Sequence, residues 1–378
     1  MLRHFVVFQD VGGQANYGIA AMCSLGWIGV DAFFVLSGFL ITNILLKARC
    51  TDGFFRCFYT RRLFRIAPLY YLFLIIFLIG VPLIARSLSL GCGDSLLQRL
   101  TTIPAVEWVY WCYLSNVPIG LQGFRYPILD ISWSLAIEEQ FYLLWPIGVR
   151  YLSATALRRA CIALFLFSLL ARAAVYWWGL PWTAAYCWTP CRFDGFAAGA
   201  FVALTGDSGV AAARVLPAYR LAVFTGAVGF LVALLAPVLT QCTEETALVK
   251  DVLPNPAVFV FGFSALAIFF AGIVGCIVSG DKRFTGGLMG DAGGLARLGR
   301  YSFCIYLIHI PVGGAVEAAV QWIGRSAGHP HFSVQTSSVL WVAVLISVGA
   351  SYLMASVSWR LWERPWLRLR DHFCPVAG

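Results

Sequence analysis

The sequence predicts an all-α fold, a polytopic bundle of membrane-spanning helices. Three observations predict it. Of 378 residues, 60% are hydrophobic and only 12% are charged, about half the charge of a soluble domain of this length. The mean hydropathy is +0.79, and apolar runs long enough to cross a bilayer recur from end to end. The positive charges gather in alternate short loops between those runs. The formal net charge of +9 is therefore a signal of membrane topology, and no nucleic-acid partner is expected. The chain has no Walker A or GxGxxG stretch, so no nucleotide-phosphate loop is expected. Its twelve cysteines form no CxxC pair and no His/Cys metal spacing. Most read as small apolar helix residues, and no metal site is expected. No internal repeat or linker divides the chain, which reads as one integral membrane domain over residues 1–378.

Nine spans follow in order. They are Trp27–Leu46, Leu63–Ile84, Ser132–Tyr151, Ala160–Trp178, Phe193–Leu204, Pro217–Thr240, Pro256–Ser279, Tyr301–Ile323 and Ser338–Trp359. The fifth falls short of the ~20 residues a span needs, so a tilted or partly re-entrant helix is expected there. The aromatic segment Leu96–Asn116 reads as a loop lying on the membrane interface. Lys47, Arg49, Arg56, Arg61 and Arg62 fall between the first two spans, and Arg65 at the entrance of the second. Arginines also follow the third, fifth, seventh and ninth spans, whereas the alternate loops hold few. The positive-inside rule makes the first set cytoplasmic. The residues before Trp27 then lie outside. The opening residues Met1–Phe8 read like the tail of an apolar helix, so the chain is expected to begin inside a helix that the complete protein possesses. A genuine short external tail is the alternative.

The third span carries the strongest chemical signal. Glu138 and Glu139 stand in the middle of an apolar helix, where a carboxylate costs about 2.5–3.5 kcal/mol even on the lenient insertion scale. Adjacent residues on a helix point about 100° apart, so the two carboxyls are not a shared-proton dyad. Ser134 sits one turn before Glu138 and Tyr142 one turn after, and the three line one polar seam. Glu139 must face another helix or the interface. A purely structural acid–arginine contact is the competing reading.

Other constellations accompany this one. Asp31 enters the first span near its outer end, and Ser37-Gly38 makes a small polar notch deeper in. Helix packing through Gly29 and Gly38 would explain the glycines but not Asp31. Arg62 and Arg65 share a face at the entrance of the second span, where backbone N–H groups also point, a ready anion site. Snorkelling arginines that obey the positive-inside rule would look the same. Arg192 and Asp194 are spaced to pair at the mouth of the fifth span. His309 lies on one helix face with Tyr301 and Ile305, and a lone histidine there is more often a hydrogen-bonded core residue than a catalyst. Glu363 ends the last span and is placed to meet the arginine cluster. His4 is the only histidine near the outer end of the presumed first helix, and an imidazole is the natural group to take a proton from a hydroxyl.

Taken together, six stretches resemble the acyltransferase 3 family of integral membrane O-acyltransferases. They are GVDAFFVLSGFLIT (29–42), RRLFRIAPLYY (61–71), WSLAIEEQFYLLWP (133–146), RFDGFAAG (192–199), GRYSFCIYLIHIP (299–311) and WERP (362–365). They occur in the family's order and cover nearly the whole chain, from Gly26 to Arg370. The resemblance implies a bundle of about ten spans in the plasma membrane, the inner membrane of a bacterium. The implied reaction moves an acyl group from acyl-CoA, most simply acetyl-CoA, to a hydroxyl of a sugar or lipid-linked glycan of the cell envelope. No bound cofactor is implied.

By the same resemblance His4 matches the family's catalytic histidine, and the arginine that precedes that histidine by ten intervening residues falls ahead of Met1. Arg62 and Arg65 match its donor-binding pair, with Ser37 beside them. Glu138 and Glu139 match its acid pair, and His309 its late histidine. Asp31 or Glu138 is expected to orient or charge His4. Two rivals remain at this point. A truncated relative that only scaffolds is discriminated by upstream coding sequence with an Arg-x10-His helix in frame. A transporter using the acids as a proton relay is discriminated by proton-coupled uptake without acyl transfer.

Overall fold

The computed structural model describes residues 24–87, 104–205, 210–240, 253–285, 292–327 and 337–374. No strand occurs among them. The first long helix, α1 (Ile28–Ala48), is entered through a 3-10 turn at Leu25–Trp27. Helix α2 (Phe54–Leu74) follows a turn at Gly53, whose φ of 72° suits a residue without Cβ. It continues through a π turn at Ile75–Gly80 into Val81–Ser87. Two short helices, α3 (Trp108–Trp111) and α4 (Asn116–Gln122), precede α5 (Trp133–Tyr151). Helix α6 (Ala154–Trp177) starts at Ser153, whose Oγ accepts from Ala156 N at 3.2 Å.

Helix α7 (Trp182–Cys187) and a 3-10 turn lead into α8 (Phe193–Thr205). Then come α9 (Val210–Thr240), α10 (Phe263–Val278), α11 (Ala292–Ser326), α12 (Ser337–Ser358) and α13 (Arg364–Phe373). Among the described residues, seven helical segments are long and apolar enough to cross a membrane. The other two expected spans are α5, which carries the paired glutamates, and α8, which has only 13 residues. The chain is a multi-pass membrane protein.

Helix α8 is the centre of the bundle and packs against α1, α6 and α10. Most of its residues, Phe196, Ala197, Ala200, Val202 and Leu204 among them, are buried and the rest half-buried, which explains why a 13-residue helix is stable so deep in the structure. Glycines let it approach α1 backbone to backbone. A Cβ at Gly38 would land on the Phe196 carbonyl, and one at Gly199 on the Val35 carbonyl. Gly29 behaves differently: nothing lies within 4 Å of its Cβ position. A column of rings extends the same core across three helices. Phe34 stacks on Phe196 at 4.7 Å, Phe196 on Phe141 at 4.5 Å, and Phe141 on Trp145 at 5.3 Å.

The segment expected on the interface is different in the structure. Residues 88–103 lie outside the described residues, but Val109, Tyr110, Ser115 and Asn116 are buried in the bundle. Polar groups at its base require this. Tyr110 donates to Asp130 Oδ1 at 2.6 Å, and Arg125 and Tyr126 donate backbone N–H to Asp130 Oδ2 at 2.7 Å. Burial pushes the Asp130 carboxyl above its usual range, against the downward pull of those hydrogen bonds. This anchor fixes the start of α5, and with it the depth of the glutamates.

Candidate functional site

Helix α5 places Glu138 and Glu139 on opposite sides of a packing seam. Glu138 is buried and turns toward α1. Ser37 Oγ donates to Glu138 Oε1 at 2.7 Å, and Tyr142 OH donates to the same oxygen. Tyr142 OH also reaches Ser37 Oγ at 3.3 Å. Glu138 Oε2 has no hydrogen-bond donor among the described residues. Glu139 turns away, within electrostatic reach of Tyr70, Tyr71 and Tyr113. Its buried Oε1 has no hydrogen-bond partner among the described residues. The neighbouring Gln140 closes that side by donating to Tyr113 O at 2.9 Å and Asn116 Oδ1 at 3.0 Å.

Glu138 faces a cavity of about 840 Å³, large enough for a substrate and not merely for water. The same cavity is lined by Ser37, Arg62, Arg65, Ser134, Tyr142 and His309. Seven expected site residues, from four helices, thus share one space. Arg62 lies over the Tyr142 ring, 4.8 Å from its centre. Neither Arg62 nor Arg65 makes an ion pair or a hydrogen bond among the described residues, although Glu138 lies within electrostatic reach of both. Two uncommitted guanidiniums lining a cavity are an anion-binding arrangement.

On α11, His309 Nδ1 is 2.7 Å from Tyr306 O and 3.2 Å from Ile305 O. The ring is therefore fixed from its Nδ1 side, with that nitrogen protonated toward the carbonyls. Tyr301, Ile305 and His309 are all buried along one face, as their spacing requires. Ser134 does not reach Glu138. Its Oγ lies 2.6 Å from Tyr306 OH, which donates to Ile131 O at 2.8 Å. Tyr306 and Glu317 are cavity residues that sequence reasoning missed. The available signal was a polar residue three positions before His309 on the same helix, and a lone acid in an apolar run.

The pairing expected between Arg192 and Asp194 does not form. Arg192 Nη2 meets Asp31 Oδ1 at 2.6 Å, and Asp194 Oδ2 meets Arg172 Nη2 at 2.8 Å. The reason is helical geometry. The 3-10 turn at Thr189–Arg192 ends where α8 begins, so Arg192 points to α1 while Asp194 points to α6 and α10. Arg172 also donates to Val260 O at 3.0 Å and to Cys191 O, and Ser264 Oγ donates to Asp194 Oδ2 at 2.9 Å. The Arg192 guanidinium lies over the ring of Phe263, at 4.1 Å, with Phe34 and Tyr186 near by. Sequence reasoning passed over Arg172, although an arginine in the middle of an apolar helix is itself a signal. None of Asp31, Arg172, Arg192 and Asp194 lines the cavity.

Glu363, expected to meet the arginine cluster, accepts from Ser358 Oγ at 3.2 Å and makes no ion pair within 4 Å among the described residues. It shares a small cleft with Arg65, Arg300 and Trp359. His4 lies outside the described residues.

A family model described as an acyltransferase domain matches residues 4–356. YrhL of Bacillus subtilis (strain 168), provisionally named a peptidoglycan O-acetyltransferase, is 29% identical over 372 residues, which are 96% of this chain and 54% of that protein. The O-acetyltransferase OatA of Staphylococcus aureus (strain NCTC 8325 / PS 47) is 35% identical over 175 residues, 45% of this chain and 27% of that protein. This chain therefore spans about half the length of YrhL. No solved structure matches it.

Proposed function

The chain belongs to the acyltransferase 3 family, and on that premise we propose that it transfers an acyl group from acyl-CoA to a hydroxyl of a cell-envelope glycan. The names of its relatives make acetyl the group of choice and a peptidoglycan sugar a candidate acceptor. The observation that carries this reading is the single cavity in which Arg62 and Arg65, free of ion pairs among the described residues, stand with Glu138 and His309. A phosphorylated donor needs such guanidiniums, and a proton relay in a transporter does not. The arginine end is taken as cytoplasmic by the positive-inside rule, in a bacterial inner membrane.

In the proposed reaction Arg62 and Arg65 hold the donor phosphates, and the pantetheine arm extends into the cavity toward Glu138. His4 takes the proton of the acceptor hydroxyl as its oxygen bonds to the thioester carbonyl carbon. The carbon–sulfur bond breaks, the coenzyme leaves as thiolate, and the proton held by His4 passes to that thiolate. In a two-step variant His4 carries the acyl group before the sugar takes it. Glu138, held by Ser37 and Tyr142, has its second oxygen free of donors among the described residues and so able to orient an imidazolium. Asp31, tied to Arg192, holds α1 against α8 and through it the position of Ser37. Glu139 supports α5 from the tyrosine side.

The test is label transfer. Vesicles containing the chain, radiolabelled acetyl-CoA and envelope glycan should yield labelled glycan, and Arg62→Ala with Arg65→Ala should lose it. Proton-coupled glycan movement without label would decide for a transporter.

A further inference from the structure

The cavity has a second end, remote from the arginines. Lys47 lies near the end of α1, Arg150 near the end of α5, and Arg300 near the start of α11. Trp27, Trp133 and Glu317 lie at the other ends of those helices, and all three line the cavity. Ser302 and Glu317, both in the lining, stand fifteen residues apart on one helix, about 22 Å at 1.5 Å per residue. One continuous space thus runs most of the way through the bundle.

The far end has its own chemistry. Phe124, Trp182 and Tyr186 line it beside Trp133. Tyr186 lies 4.5 Å from Trp133, 6.0 Å from Trp182 and 6.3 Å from Phe124 between ring centres. Glu317 is the only carboxylate among the described residues at this end of the lining, and it makes no ion pair there. Its Oε1 accepts from Gln321 Nε2, one turn on, at 3.3 Å, a weak bond by length. Gly313 and Gly314, on the same stretch of α11, line the cavity beside it. The Glu317 carboxylate is half-buried and faces the cavity, where a ligand rich in hydroxyls supplies donors to it. The C–H faces of a sugar ring suit the aromatic wall.

We propose that this end is the acceptor subsite, where Glu317 binds hydroxyls of an uncharged sugar ring packed against Trp182 and its charge excludes anionic sugars. This rests on the acyl-transfer reading and adds which sugars are admitted. The two ends are then opposite in charge. The arginines draw in a phosphorylated donor, and Glu317 repels it from the acceptor's place.

The experiment uses the chain in proteoliposomes with labelled acetyl-CoA and two soluble acceptors, methyl glucoside and methyl glucuronide. The unaltered chain should favour the glucoside. Glu317→Gln, which keeps an acceptor oxygen but loses the charge, should raise the KM for the glucoside about 5- to 10-fold, the difference between a hydrogen bond to a charged group and one between neutral groups. It should leave the KM for acetyl-CoA unchanged and narrow the preference over glucuronide. Glu317→Asp, which keeps the charge, should retain that preference. Unchanged acceptor constants in an active Glu317→Gln protein would overturn the proposal while leaving acyl transfer standing. A parallel change in donor and acceptor constants would also overturn it, because that marks a structural role. If the unaltered chain modifies neither glycoside, the acceptor class is wrong. If it also fails to bind acetyl-CoA, the acyl-transfer reading fails with it.

Discussion

Arg62→Ala should weaken binding of the donor and of nothing else. The guanidinium lines the cavity with no ion pair or hydrogen bond among the described residues, so its removal frees no buried acid from a bonded partner. What is lost is one charge-assisted contact to phosphate, worth about 1.5–3 kcal/mol. At 1.4 kcal/mol per factor of ten, the Kd for coenzyme A should rise about 10- to 150-fold. The stacking of Arg62 on Tyr142, 4.8 Å from its ring centre, adds about 0.5–1 kcal/mol to stability and not to affinity. The assay is equilibrium binding of labelled coenzyme A to purified protein, repeated with pantetheine, which lacks the phosphates. Pantetheine should bind both forms alike, and added salt should weaken coenzyme A binding to the unaltered protein more steeply than to the variant. A Kd within threefold of the unaltered protein, or an equal loss for pantetheine, would refute the reasoning.

Other predictions concern the frame that holds the site. Gly199→Val places a side chain on the Val35 carbonyl, so α1 and α8 must separate. Overpacking of this kind costs about 1–3 kcal/mol or more, and the shift would stretch the 2.7 Å bond from Ser37 to Glu138. A lower melting temperature in detergent, together with lost transfer, is the expected result, and an unchanged melting curve would contradict the close approach. Arg192→Met leaves Asp31 buried without its cation and should destabilise the fold by about 3–5 kcal/mol. Asp31→Asn in the same chain should restore part of this, because the pair fails as a unit. Strict additivity of the two changes in a thermal unfolding series would argue against the ion pair.

Much of this was legible because the membrane makes polar residues conspicuous. Glu138 and Glu139 stand out in an apolar run, and their divergence follows from helical geometry alone. One meets Ser37 and Tyr142, and the other meets the tyrosine side. The spacing of Tyr301, Ile305 and His309 likewise fixed a shared buried face. Partners distant in the chain were not legible. Arg192 and Asp194 are two residues apart, yet each bonds a residue on a different helix, and only the orientation of the Thr189–Arg192 turn decides which. The fifth span was recognised as short, but its stability comes from burial by three neighbouring helices. The segment around Tyr110 and Asn116 misled for a related reason. It is aromatic and polar enough to suit an interface, and only the hydrogen bonds to Asp130 and Gln140 draw it inward.

The most direct test of acyl transfer compares the unaltered chain with His4→Ala in membranes supplied with radiolabelled acetyl-CoA and envelope glycan. The two proteins should be matched in amount and in donor binding. The account predicts labelled glycan from the unaltered chain and none above background from His4→Ala. Label appearing at the same rate in both would contradict the assignment of His4. Label in neither, with donor binding intact, would contradict acyl transfer by this chain.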